Sequence, residues 1–322
     1  MRAPGFWQNP PARPGWQAYV LAPLGCLYAR MTARRLRQSG MRADVPVICI
    51  GNINAGGTGK TPTAMALIAL LRARGHQVHV VSRGYGGSLS GPVQVDPARH
   101  SAADVGDEPL LLALQAPTWV ARDRAAGVQA AQAAGAAVVL LDDGFQNPAV
   151  VKDLSIVVVD AAQGFGNQRP IPAGPLREGL AAGLARADLV LTIGAQDLFT
   201  MALPVPRLQG TLVPMETGMP WAGLRALAFA GIGNPAKFFA TLRGLGADVV
   251  VEKPLDDHQP LTEALMARLM AEAKAANARL VTTEKDAIRL PEAFRGEVLV
   301  LPVRLQIADD TALIAALERL GL

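Results

Sequence analysis

Three glycines, a lysine and two threonines make up the six residues Gly56, Gly57, Thr58, Gly59, Lys60 and Thr61, separated by four residues from the apolar run 45–51. A strand, a glycine turn and a Lys-Thr pair opening a helix make a phosphate-binding loop. Its backbone N–H groups and the helix N-terminus surround phosphate oxygens, and Lys60 adds a full positive charge. The Thr61 hydroxyl is placed to meet a magnesium ion. The usual pattern has glycine at position 54, where this chain has Asn54, a residue that tolerates left-handed backbone angles. Asn54 and Ala55 complete the expected nucleotide-binding segment.

A nucleotide-bound magnesium needs a carboxylate opposite that hydroxyl. Asp142 and Asp143 follow the apolar run 137–141, at the end of a strand where an open parallel sheet places its ligands. Asp107 and Glu108 form a second acidic pair in a loop. His258, one of four histidines, sits between a predicted strand and helix beside Asp256 and Asp257, which would raise its basicity. A further glycine turn begins at Gly231, and Glu252 follows at the spacing of a dinucleotide fingerprint. Pro235 in that turn serves equally well as a first-turn helix residue.

Positioning these groups requires a sheet. Strands are predicted over 77–81, 118–121, 137–141, 154–159 and 189–193, alternating with helices over 60–71 and 125–134. The pattern is that of an α/β fold, a P-loop kinase-like parallel sheet domain covered on both faces. A second, smaller α/β domain starts near Trp221, after the proline-containing stretch 203–220, with strands over 226–230, 248–251, 279–282 and 298–302. The expected division is 1–37, 38–220 and 221–322, with the last helix, 311–320, free to pack on either half.

The chain has 322 residues, half of them hydrophobic, and a formal net charge of +4. That mild excess suits an anionic partner without identifying it. Two cysteines outside any metal spacing favour a reduced compartment. No stretch approaches the ~20 apolar residues of a membrane span, and the basic cluster at Arg30, Arg34, Arg35 and Arg37 follows the apolar run 16–28, unlike a cleaved signal. Val20, Leu24, Leu27, Tyr28 and Met31 share one helical face, as in a helix lying in a membrane interface or one packed on its own domain.

In register, Gly51-Asn52 with the loop 54–61, Ser82-Arg-Gly-Tyr-Gly86, Gly106-Asp-Glu-Pro109, Asp142-Asp-Gly-Phe-Gln146, Gly164-Phe-Gly-Asn167, Leu176-Arg-Glu178, Phe229-Ala-Gly-Ile-Gly-Asn-Pro235, Asp257-His258 and Thr282-Thr-Glu-Lys-Asp286 resemble the tetraacyldisaccharide 4'-kinases, the lipid A 4'-kinases of Gram-negative bacteria. The resemblance implies two α/β domains with the site between them, ATP and Mg2+ as cofactors, and an acylated disaccharide lipid as acceptor. It implies peripheral attachment to the cytoplasmic face of the inner membrane, with no nucleic acid and no obligatory protein partner. It makes Asp107 and His258 the base, Lys60 the neutraliser of the transferring phosphoryl group, and Thr61, Glu108, Asp142 and Asp143 the magnesium set. Arg177 and Glu178 are expected to face the cleft, and Arg83 to meet the lipid's 1-phosphate. Asn147 and Gln259 stand where the family often has histidine, so neither receives a protonation role.

Two other classes compete. A regulatory P-loop NTPase of the dimer-switch kind needs a lysine at position 55, which is Ala55 here. A dinucleotide-dependent oxidoreductase would use Gly231 and Glu252.

Overall fold

The computed structural model describes residues 3–257 and 259–322, so His258 lies outside the described residues. The larger sheet is built from β1 (Val47–Gly51), β2 (Val78–Ser82), β3 (Val93–Gln94), β4 (Thr118–Val120), β5 (Val138–Asp142), β6 (Leu154–Asp160), β7 (Leu189–Ile193), β8 (Arg207–Pro214) and, from the end of the chain, β13 (Val303–Ile307). The smaller one contains β9 (Arg225–Ala230), β10 (Asp248–Pro254), β11 (Arg279–Thr283) and β12 (Val298–Leu301). The helices in chain order are α1 (Trp16–Arg35), α2 (Lys60–Ala73), α3 (Ala102–Val105), α4 (Asp107–Ala113), α5 (Arg124–Ala133), α6 (Leu180–Leu184), α7 (Pro235–Gly244), α8 (Glu263–Ala275), α9 (Glu284–Ala287) and α10 (Thr311–Glu318).

The nine-stranded sheet has the order β13-β8-β7-β6-β1-β5-β2-β4-β3. Its strands pair in parallel except at the two edges, where β13 and β3 run antiparallel to their neighbours. All five residues of β1 are buried, because alternate side chains enter two different cores. Ile48 and Ile50 pack with Ala64, Leu67, Ile68 and Leu71 of α2, and Val47 and Cys49 pack with Val128 and Ala131 of α5. A strand covered on both faces reads as a continuous apolar run, and for that reason β1, β5, β6 and β7 are visible in the sequence.

Residues 203–220 are not a plain connection. They contain β8, which pairs in parallel with β7 and antiparallel with β13. Its burial alternates irregularly, Arg207 and Gln209 are only half-buried, and prolines flank it, so its pattern lacks the apolar run of the central strands.

The smaller sheet, β10-β9-β11-β12, is parallel throughout, with α7 on one face and α8 on the other. It ends at Leu301 instead of extending to the C-terminus. After Pro302 the chain returns to the larger sheet as β13, and α10 buries Leu313, Ala316 and Leu317 in the same core as Ile48 and α2. The second lobe is therefore an insertion between β8 and β13. Leu317 is fully buried there, so Leu317→Ala should cost about 2–5 kcal/mol of unfolding free energy, read as a lower urea midpoint. A near-neutral change would mean that α10 is not seated on the first lobe.

Candidate active site

The parallel order places three chemical segments side by side. Strand β1 ends in the glycine loop, its neighbour β5 ends at Asp142 opposite Ile50, and β2, on the far side of β5, ends at Ser82. Gly59 takes φ +98° immediately before Lys60, an angle that strains any other residue, and a Cβ there would also push aside Cδ1 of Ile193 at 2.6 Å. The first N–H groups of α2, at Lys60 and Thr61, have no intrahelical acceptor and face the loop's hollow by helix geometry.

Asn54 does not take the left-handed angle a glycine substitute suggests. Its side-chain Nδ2 donates to the Gly164 carbonyl at 2.9 Å, and the backbone bridges to Leu176. The Ala55 N–H donates to the Pro175 carbonyl at 2.7 Å. These two residues therefore anchor the loop's shoulder, which narrows the expected phosphate cradle to residues 56–61.

The two aspartates occupy opposite environments. Asp142 is 1% exposed. Burial, then the charges of Glu108 and Asp143, push its carboxyl up to about 7. Ser82 Oγ donates to its Oδ2 at 3.0 Å, while Oδ1 has no hydrogen-bond partner. Asp143 sits at φ +52°, a costly backbone angle for a non-glycine residue. That angle turns its carboxylate toward Arg177, whose Nη1 meets both oxygens at 2.9 and 3.1 Å, and toward Lys60 Nζ at 3.7 Å. Burial raises its pKa, but Lys60 and Arg177 outweigh that and hold Asp143 below the ordinary carboxylate range. One carboxyl is poised near neutrality and its neighbour is firmly ionised.

Residues of the second lobe reach the Asp107-Glu108 pair. Asp107 opens α4, is 4% exposed, and accepts from the Glu108 N–H at 3.0 Å. Lys285 Nζ of α9 lies 3.2 Å from Glu108 Oε1 and 3.9 Å from Asp257. Arg289 Nε is 3.7 Å from Asp107 Oδ2. A third cross-lobe pair, Lys237 with Asp160 at 2.5 Å, joins α7 to the end of β6. Between the lobes opens a cavity of about 820 Å³ whose lining includes Asp107, Arg289 and Tyr85.

The remaining expected residues divide. Arg83 is exposed at the end of β2. Arg177 reaches the site through Asp143, but Glu178 does not face the cleft. It is 3% exposed, and both its oxygens accept from Arg186 Nη2, with Oε1 also accepting from Gln146 Nε2 at 2.9 Å. Glu178 therefore holds the 145–147 turn, where Arg186 also donates to the Phe145 carbonyl. The dinucleotide reading loses its acidic residue as well, since Glu252 pairs with Arg243 at 2.5 Å and the Gly231 N–H donates to Asp286. Sequence reasoning gave no role to Ser82, Arg124 or Arg289. Arg124 is 3% exposed and electrostatically coupled to both Asp142 and Asp143. Its sequence signal is a charged residue opening a helix, just after the N-cap Asp123 and four residues past the end of β4.

The oxygen donors fit a small hard cation. Asp142 Oδ1, Thr58 Oγ1 and Asn52 Oδ1 are buried beside the loop without hydrogen-bond partners. Magnesium is bound by one or two protein oxygens together with substrate phosphates, so no all-protein cage is needed. Indeed, among the described residues, no group of three or more His, Cys, Asp or Glu side chains is assembled to hold a metal ion. Glu108 already neutralises Lys285, which leaves Asp142 and Thr61 as the better placed of the expected ligands.

A glycine-loop sheet with carboxylates at the adjacent strand end and a second lobe over its carboxyl side defines a P-loop phosphotransferase. The family model described as Tetraacyldisaccharide-1-P 4'-kinase matches residues 17–321. The chain is 64% identical to the tetraacyldisaccharide 4'-kinase of Dinoroseobacter shibae, over 99% of this chain and 98% of that protein. It is 58% identical to the corresponding protein of Jannaschia sp., over 99% of both. The crystal structure of LpxK from Aquifex aeolicus in complex with ATP superimposes with a TM-score of 0.77 at 25% identity, covering 95% of this chain and 99% of that one. The chain belongs to the tetraacyldisaccharide 4'-kinase family, the ATP-dependent lipid kinases of lipid A biosynthesis.

The raised Asp142 carboxyl has a thermodynamic consequence. A group whose folded pKa exceeds its unfolded value stabilises fully below the unfolded pKa, and that contribution is lost as pH rises through the folded pKa. For Asp142 the window runs from 3.8 to about 7. Asp142→Asn, melted without nucleotide or magnesium, should therefore raise Tm at pH 8, with the gain shrinking toward pH 4, while activity falls. A variant less stable than wild type at pH 8 would contradict this reading of its burial.

Proposed function

We propose that the chain moves the γ-phosphoryl group of ATP to the 4'-hydroxyl of a tetraacyl disaccharide 1-phosphate, giving lipid IVA, with the residues assigned as follows. The reading draws its main support from one convergence: Lys60 and the Asp142-Asp143 pair share the carboxyl end of adjacent strands, and Glu108, next to Asp107, is close enough to perturb Asp142.

A sugar hydroxyl is a poor nucleophile, so an acceptor within hydrogen-bond reach must take its proton as the P–O bond forms. Asp107 takes that role together with His258. As the hydroxyl oxygen bonds to the γ-phosphorus, the bond to the β,γ-bridging oxygen breaks and its electron pair leaves on ADP. Residues 56–61 hold the triphosphate through main-chain N–H groups, and Lys60 offsets charge on the γ-oxygens. Asp143, ionised and paired with Arg177, keeps Lys60 from collapsing onto other acceptors. Thr61 and Asp142 would hold Mg2+, which would offset the negative charge of the phosphates during transfer. Arg83 and Arg177 are the candidate cations for the lipid's own phosphate.

Helix α1 supports a peripheral seat on the inner membrane. Its buried residues are Ala18, Gly25 and Thr32, a seam of one residue every seven. At Gly25 a Cβ would come within 2.9 Å of the Pro170 carbonyl oxygen, so the helix lies hard against the first lobe. Its other side leaves Trp16, Tyr19, Val20, Leu24, Leu27 and Met31 between 55% and 71% exposed. A continuous apolar stripe of this kind, followed by Arg30, Arg34 and Arg35, suits insertion among anionic headgroups. Among the described residues no helix is long and apolar enough to cross a membrane.

Lys60→Ala should reduce turnover to background in a radiolabelled-ATP assay with the disaccharide lipid. Asp107→Ala and His258→Ala should each lower kcat by about 10² to 10⁴. Full rates in both single variants would show the base to be elsewhere. ATP hydrolysis at the same rate with and without lipid would favour a regulatory NTPase. Val20→Asp with Leu24→Asp should release the protein from vesicles containing anionic lipid in a flotation assay; unchanged flotation would assign the exposed stripe another purpose.

A further inference from the structure

Arg289 lies just beyond α9 in the second lobe, with its side chain 7% exposed, and it joins three otherwise separate parts of the molecule. Its Nη1 donates to the Gln259 carbonyl at 2.8 Å, on the residue that follows His258 in the chain. Its Nη2 donates to the Gly231 carbonyl at 3.2 Å and to the fully buried Asp286. Asp286 is in turn held by Thr283 Oγ1 and the Gly231 N–H, so the guanidinium plane is fixed from behind. The remaining donor, Nε, is buried with no hydrogen-bond partner, yet it stands 3.7 Å from Asp107 Oδ2 in the other lobe.

A buried, unpartnered N–H on a charged group is costly. The gap exceeds the ~2.7–2.9 Å of a charge-assisted hydrogen bond by less than about 1 Å. We propose that Arg289 is a positioning residue for phosphoryl transfer, whose Nε completes a hydrogen bond to Asp107 as the lobes draw together and so sets the base against the acceptor hydroxyl. A guanidinium suits this task because it donates without giving up its proton, leaving Asp107 able to accept one. The proposal rests on Asp107 being the base, as read above.

The test is a double-mutant cycle on the full-length protein, with kcat and ATP KM measured against the disaccharide lipid and Tm recorded for each variant. Arg289→Gln should lower kcat by about 10- to 100-fold, the range of a sub-ångström misplacement, with ATP KM nearly unchanged. Arg289→Lys, which keeps the charge, should recover part of that loss. In an Asp107→Asn background, Arg289→Gln should have little further effect, since residues acting through one another are not additive. Equal fold-losses in both backgrounds would overturn the role while leaving the base assignment intact. An unimpaired Asp107→Asn enzyme would overturn both. If Arg289→Gln melts below the assay temperature, Arg289→Lys is read through the same cycle with the same criteria.

Discussion

Two neighbouring carboxyl groups, one buried and the other with its side chain 34% exposed, cannot both ionise freely, and the rest of this site is arranged around that constraint. Strand β5 ends with Asp142 inside the sheet and Asp143 flipped outward by a positive φ. The flip sends one carboxylate to two cations and leaves the other with a serine hydroxyl and an open oxygen. Without nucleotide, protonation of Asp142 relieves the conflict. A divalent cation would do so better, drawing off the proton and using the open oxygen. The charge state of the site would thereby follow whether phosphates and a metal are bound.

The second lobe obeys related electrostatics. Among the described residues, four ion pairs join it to the first lobe: Lys237, Lys285 and Arg289 meet Asp160, Glu108 and Asp107, and Glu284 meets Arg304 of β13. The side chains of Lys237 and Asp160 are 46% and 12% exposed, so that pair is weakened by solvent and can open and reform. The Arg289 pair is almost dry, and a mismatch there is felt more strongly. The wetter pairs can lengthen or shorten at little cost as the lobes draw together. The loose transition state of phosphoryl transfer benefits from such closure, because excluded water cannot compete with the sugar hydroxyl.

What was legible in the sequence was whatever depends on neighbours along the chain. The glycine loop, the aspartates at a strand end and the apolar central strands are local patterns, and the structure places them together at one end of the sheet. Glu178 was misread because its position in a motif near the site does not reveal which way its side chain turns; Arg186, eight residues later, holds it inward. Strand β8 was missed because its position beside the returning β13 leaves it half-exposed and polar. The return of residues 303–322 to the first lobe depends on a tertiary pairing of Val303 with Pro214, which no periodicity announces. Arg289 escaped notice for the same reason, since its importance lies in distances across 177 to 182 positions of chain such as those from Lys285 to Glu108 and from itself to Asp107.

The inserted second lobe also explains why the terminal segments matter to chemistry they do not touch. Because the chain leaves the large sheet at β8 and re-enters it at β13, both connections to the second lobe emerge from one edge of that sheet, beside each other in antiparallel register. Any rocking of the lobe is therefore hinged at that edge. Helix α2, whose N-terminus carries Lys60, packs on the face covered by α10, so the phosphate loop and the hinge share one core. Helix α1 is seated elsewhere, against Pro170 and, through Arg35, on the Gln146 carbonyl near the Asp143 turn. An apolar face held in a membrane would fix the first lobe through α1 and leave the second lobe free to move over an acceptor whose acyl chains never have to leave the bilayer. Such a seating would put the second lobe on the water side and α1 on the lipid side, as suits a kinase that draws ATP from solution and its acceptor from a membrane.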